Sequence, residues 1–309
     1  MIKPLLLRLH RWMSLAFALP LFAIIASGMI LSFEPMMQAG GVPSPVDATR
    51  LADIIKRYDP DGKARGLFIN ASAQRLRLQA PGAPEIDLST SEPAENPSVL
   101  GNVFMWARFT HERLLGLPWL VSASTIAMLV IMILGIAMGW PRLRNTLAGW
   151  HKGAAWFTLP LILLSPLTGL AMALGLTFQG GWPAAPSGQP PALTDAVRIV
   201  AQSHDLAQLV SIGGRGGRMM ARLYEDGELK AYSVTSDGLV ALPRNWPRLI
   251  HEGNWSTMIA SPLNVLTSLV LFGLLSTGVV LWSRRTFRRR PDRAAEPPRR
   301  AADAPSIAA

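Results

Sequence analysis

The chain has 309 residues, half of them apolar and only 16% charged, with a formal charge of +10 and no cysteine. That composition excludes a disulfide-stapled secreted domain, a thiolate-bound iron–sulfur cluster and a c-type haem attachment. The excess charge is no nucleic-acid footprint either, because it is confined to the ends and one short loop.

In chain order, a basic N-terminus (1–12, with Lys3, Arg8 and Arg11) precedes an apolar run over 13–33, and three further runs cover 117–139, 154–178 and 258–282. Each is 21 to 25 residues long without a formal charge. At about 1.5 Å per residue, each is long enough to cross a hydrocarbon layer roughly 30 Å thick. The first run exceeds the roughly 7 to 15 apolar residues of a signal peptide and reads as a retained anchor. The segment 34–116 predicts a helix over 51–58 and short strands over 66–69 and 75–78. The segment 179–257 starts with a Gly/Pro linker (179–191), then a helix over 196–202 capped by Thr194 and Asp195. A glycine-rich stretch, Ile212 to Gly217, reads as a flexible entry to strands over 219–224, 228–234 and 238–242, with Asp226-Gly227 and Asp237-Gly238 as turns. The tail 283–309 reads as basic and disordered.

Segments 1–12, 140–153 and 283–309 carry 14 Lys or Arg against three acids, whereas 34–116 and 179–257 carry 16 against 17. The positive-inside bias places both termini and the 140–153 loop in the cytoplasm and the two long segments outside. The near-cancellation outside predicts no electrostatic preference for one ligand. The expected fold is a membrane all-α four-helix bundle of two parallel-repeat hairpins, carrying two small α+β extracytoplasmic modules.

Four of the five histidines, His10, His111, His151 and His251, each stand just before one apolar run, and the intervals His10–His151 and His111–His251 are 141 and 140 residues. Leu9-His10-Arg11 is answered by Trp150-His151-Lys152, Pro20 by Pro160 and Gly28 by Gly169. His111-Glu112 is answered by His251-Glu252, each read as opening the second helix of its half. Glu112 and Glu252 are expected to cap or solvate those helix starts. His204, in Ser203-His204-Asp205, reads as part of a solvated turn. Gly28, Gly135, Gly169, Gly273 and Gly278 read as small residues at helix contacts, and Trp12, Trp119, Trp140, Trp255 and Trp282 as an interfacial belt.

Leu9-His10-Arg11-Trp12 at the first run, Phe33-Glu34-Pro35 at its end, His151-Lys152-Gly153 before the third and Leu281-Trp282-Ser283-Arg284-Arg285 closing the fourth carry a family resemblance. The chain resembles the PepSY-associated transmembrane family over nearly its whole length. The resemblance implies inner-membrane helices with PepSY-like outside modules over 34–116 and 179–257, and it raises haem-dependent reduction of ferric siderophores as the activity.

With both termini inside, His10 and His151 fall at one membrane level and His111 and His251 at the other. Neutral imidazoles from facing helices are suited to clamping haem iron for electron transfer. The expectation is two haem b groups with His10, His151, His111 and His251 as axial iron ligands, and Arg8, Arg11, Arg108, Arg113 and Lys152 as candidate propionate partners. The cytoplasmic pieces are too small for a flavin or nicotinamide domain, so the donor would be a separate flavoprotein or quinol and the acceptor a periplasmic ferric chelate. Membrane lipid is the obligatory surrounding, an oligomer is allowed, and nucleic acid is not a partner. A haem-free PepSY membrane scaffold, binding a periplasmic partner and using the histidines only as interfacial side chains, is the alternative.

Overall fold

The computed structural model describes residues 2–183 and 189–287. Helices α1 (Ile2–Ala16) and α2 (Ala18–Leu31) meet at Phe17, and α3 (Glu34–Ala39) follows. α4 (Ala48–Tyr58), whose first turn is capped by the Asp47 carboxylate accepting from the Arg50 amide, leads to strands β1 (Gly66–Asn70), β2 (Arg75–Leu78) and β3 (Glu85–Asp87). α5 (Val99–Glu112), capped by Ser98, is separated from α6 (Pro118–Ala137) by a reversal at Leu115 and Gly116, both at positive φ. α7 (Leu147–Phe157) and α8 (Leu159–Ala173) follow, then α9 (Leu193–Ala201), β4 (Leu209–Arg215), β5 (Arg218–Glu225), β6 (Glu228–Thr235) and β7 (Gly238–Ala241). α10 (Trp246–Glu252) ends on left-handed Gly253, and α11 (Ala260–Phe287) closes the described chain.

The expected four-helix membrane bundle is not formed. Three helical stretches among the described residues, Ala18–Ala39, Pro118–Ala137 and Ala260–Phe287, are long and apolar enough to cross a membrane. The third apolar run is broken at Thr158, where α7 and α8 are bent by 65°. The first run has the equivalent break at Phe17. Pro20 and Pro160 lie just beyond these breaks. Proline removes an amide donor and crowds the preceding turn, so the apolar run continues where the helix does not. α2, α6, α8 and α11 meet through Leu21, Ile25, Met128, Ile162 and Leu271. Leu19, Ile126, Ile133, Leu266 and Leu269 are exposed, as side chains turned toward lipid are.

Two separate outside modules are not formed either. β1 pairs antiparallel with β4, Leu67 opposite Ile212 and Phe68 opposite Ser211, producing one seven-stranded antiparallel sheet in the order β3-β2-β1-β4-β5-β6-β7. Alone, each half would leave a strand edge open and an apolar face half-covered. Joined, Leu67, Ile69 and Leu76 of the first half share one core with Ile212, Ala221 and Leu223 of the second, under Leu51 and Ile55 of α4 and Val197 and Val200 of α9. The seam requires Gly66: a Cβ there would lie 2.7 Å from the Gly213 Cα.

Smaller differences follow from the same pairing. The stretch from Ile212 is strand β4 through Arg215 and then a tight hairpin on Gly216 and Gly217, both at positive φ, rather than a flexible entry. α9 begins at Leu193 with no side-chain cap, and Asp195 in its first turn bonds Arg198 at 3.1 Å. The helix of the fourth run continues through Phe287. The rest of the expected disordered tail, from 288, lies outside the described residues, as do 184–188 of the expected linker.

Candidate functional site

His111 and His251 do not open membrane helices. They lie at the ends of the short helices α5 and α10, each followed by a chain reversal. Each belongs to a duplicated Arg-x-x-His-Glu pattern, Arg108 to Glu112 and Arg248 to Glu252. In both copies the arginine contacts the glutamate one turn on at 3.7 Å. Glu112 and Glu252 therefore pair with arginines at helix C-termini instead of capping helix starts. The Arg at minus three is a signal present in the sequence alongside His-Glu.

All four histidines are seated alike. His111 Nδ1 lies 2.9 Å from the Ile24 carbonyl, and its Cε1 would be 2.9 Å from a Cβ on Gly28. His251 Nδ1 lies 3.0 Å from the Ser165 carbonyl, and its Cε1 would be 2.9 Å from a Cβ on Gly169. At the other end, His10 Nδ1 meets the Ile131 carbonyl at 2.9 Å beside Gly135, and His151 Nδ1 meets Thr277 Oγ1 at 2.8 Å beside Gly278. A carbonyl accepts, so Nδ1 donates and carries the proton in at least three of the four rings. Among the described residues, none of the four Nε2 atoms takes a hydrogen bond. Ser27 and Thr168, which place hydroxyls 3.4 Å from His111 Nδ1 and 3.2 Å from His251 Nδ1, are equivalent positions that the sequence reading missed, as is Thr277.

The structure brings His111 and His251 together across the two halves, with ring centroids 5.9 Å apart and planes at 38°. Burial pushes the His111 imidazole down to about 4, with His251 adding repulsion, and burial pushes His251 down as well. Both rings are neutral near pH 7, the form that ligates metals. His10 and His151 lie within electrostatic range of each other. His204 is elsewhere: its Nε2 is 2.5 Å from Glu225 Oε1 and its ring lies 5.0 Å from that of Tyr232, tilted by 57°, so it pins the α9–β4 connection to the β5–β6 hairpin rather than lying in a solvated turn.

His111, His251, Gly28 and Gly169 line the floor of a cavity of about 960 Å³, and the sheet face turned away from α4 and α9 forms its roof through Phe68, Val210, Arg222 and Tyr224. Arg108 and Arg248 line it, and Arg108 also pairs with Glu34. Arg222 was not singled out by sequence. It is partly buried and makes no hydrogen bond or ion pair among the described residues, and burial lowers its pKa despite the attraction of Glu252. Arg8, Arg11, Arg113 and Lys152 do not line this cavity, and Gly273 has nothing within 4 Å of a built Cβ.

The sequence profile described as PepSY-associated TM region matches residues 7–285, which includes all four histidines and the whole sheet. The chain belongs to this family. It is thus a membrane protein of the PepSY-associated type, and the strands of its two long segments, 34–116 and 179–257, form a single sheet. A search of curated proteins finds no match to this PepSY-associated protein.

Proposed function

We propose that this PepSY-associated protein carries electrons across the inner (cytoplasmic) membrane, with both termini cytoplasmic, from a separate flavoprotein or quinol to a periplasmic ferric chelate such as a ferric siderophore. The observation that carries this reading is the common seating of four imidazoles: Nδ1 is anchored on a neighbouring helix, Nε2 is uncommitted, and the rings fall in two cross-half groups at opposite ends. Among the described residues no group of three or more His, Cys, Asp or Glu is placed to hold a metal ion by itself. Paired imidazoles suit a metal that brings its own remaining ligands, which is the donor set of bis-histidine haem b.

His10 with His151 and His111 with His251 would hold two such groups, each supplying a reversible one-electron couple. The residues' own part is orientation and exclusion. The carbonyls of Ile24, Ser165 and Ile131 and the Thr277 hydroxyl fix ring rotation, and Gly28 and Gly169 leave room for the imidazoles. The cavity over His111 and His251 offers the acceptor a site beside the outer pair. One electron converts Fe(III) to Fe(II), which oxygen-rich chelates hold less tightly.

The test is the oxidised and dithionite-reduced visible spectrum of the purified protein with its haem-to-protein ratio. The expected result is a low-spin b-type spectrum near two haems per chain, with His10→Ala and His111→Ala each losing about one. A colourless protein after expression with ample haem would overturn the proposal in favour of a haem-free scaffold.

A further inference from the structure

The charges outside the membrane cancel in number but not in space. On the cavity-facing side of the sheet, strand register sets Arg77, Phe68, Ser211 and Arg222 opposite one another in a single row across β2, β1, β4 and β5. At about 4.8 Å per strand, the two arginine backbones stand roughly 14 Å apart, with an aromatic ring and a hydroxyl between them. Arg77 and Phe68 also line a second, open cleft where β1 begins and β2 ends, together with Lys63 and Arg65, and among the described residues no acid lines that cleft. Phe68, Arg77 and Ala83 line both spaces, so the cleft and the cavity adjoin along that wall.

The cations along this route are unequally committed. Arg108 is taken up by Glu34 and Glu112, Arg248 approaches Glu252, Arg75 pairs with Asp87 and Lys63 with Asp61. Arg65, Arg77 and Arg222 form no ion pair among the described residues. Glu85, the cross-strand neighbour of Arg77, is the one acid on that stretch of the row. An arginine left without an anion inside a cavity is costly unless a ligand supplies the partner, and guanidinium binds carboxylate through two parallel hydrogen bonds.

We infer that this route selects an anionic, carboxylate-bearing ferric chelate, drawn in past Arg65 and Arg77 and anchored by Arg222 above the His111–His251 pair. The inference rests on the ferric-reduction reading for its iron, yet binding can be measured without any redox step. A carboxylate could also come from a haem propionate, and the experiment separates the two sources.

Binding of Ga(III)–citrate and of a neutral Ga(III) trihydroxamate, neither of which is reduced, is measured by titration calorimetry on the full-length protein in nanodiscs. Haem content is determined on the same samples. Wild type is expected to bind the citrate complex at least about tenfold more tightly than the hydroxamate, with affinity falling as salt rises. Arg222→Gln and the exposed Arg77→Gln should each weaken citrate binding about tenfold without changing haem content, and Arg222→Lys, which keeps the charge but not the two parallel hydrogen bonds, should recover only part of it. Equal or tighter hydroxamate binding, or wild-type citrate affinity in both glutamine variants, would overturn the inference. Loss of haem from Arg222→Gln with citrate affinity retained would assign Arg222 to the propionate instead. A colourless wild-type protein that still binds the citrate complex through Arg222 would sink the electron-transfer reading and leave the anion site standing.

Discussion

Single glycines set where the histidines stand. At Gly28 and Gly169 an added methyl would lie 2.9 Å from an imidazole Cε1, closer than packed carbons approach, so the ring and not the helix must yield. Gly28→Ala and Gly169→Ala are each expected to fold and to lose most of one haem equivalent, read from the haem-to-protein ratio. Gly273→Ala, where a methyl meets nothing within 4 Å, should keep both. The matching spacing of Gly28 and Gly169 is legible in the sequence. What each glycine touches is not, because small residues at helix contacts look the same whether the neighbour is a backbone or an imidazole.

Elements are held to the sheet by polar ties that hydropathy does not register. Gln38 of α3 is buried, donates to the Ile69 carbonyl at 3.2 Å and accepts from the Ala71 amide at 2.6 Å, joining the first membrane stretch to the end of β1. Gln38→Leu strands both backbone groups and should cost about 1–3 kcal/mol, measured as a lowered melting temperature. Acid weakens the same sheet. Hydrogen bonds from Ser89, with Arg75 beside it, hold the Asp87 carboxyl below the usual range. Burial pushes Glu225 up, but bonds from Lys230 and Tyr232 more than reverse it. Because both folded values lie below the unfolded ones, their stabilisation is complete above the ordinary carboxylate range and is lost as pH falls through the folded values. In acid titrations followed by circular dichroism, Asp87→Asn and Glu225→Gln should be less stable than wild type at pH 7 and should converge with it at low pH. Strands β1, β2, β5 and β6 were readable from alternation and turn residues. β4 was not, since a Gly-rich stretch becomes a strand only when β1 supplies its partner.

On the scale of the whole molecule, the duplicated halves meet as an internal pair. The first strands of each half join the sheet, and His111 and His251 face each other across the same junction. If each haem is shared between halves, His111→Ala/His251→Ala should lose no more haem than either single variant, whereas His10→Ala/His111→Ala should lose both. A double loss from the first pair would mean that each half holds its own. The sequence by itself determined that apolar runs cross a membrane, that the layout is duplicated, and that four histidines recur at fixed intervals, because these are properties of order along the chain. Only the tertiary structure decided that one run is bent by 65°, that the two long segments form one sheet, and that their 16 basic and 17 acidic residues sort into paired arginines and a basic stretch. Those outcomes depend on which strand edges and which side chains meet across more than a hundred residues. No local pattern of residue types encodes that.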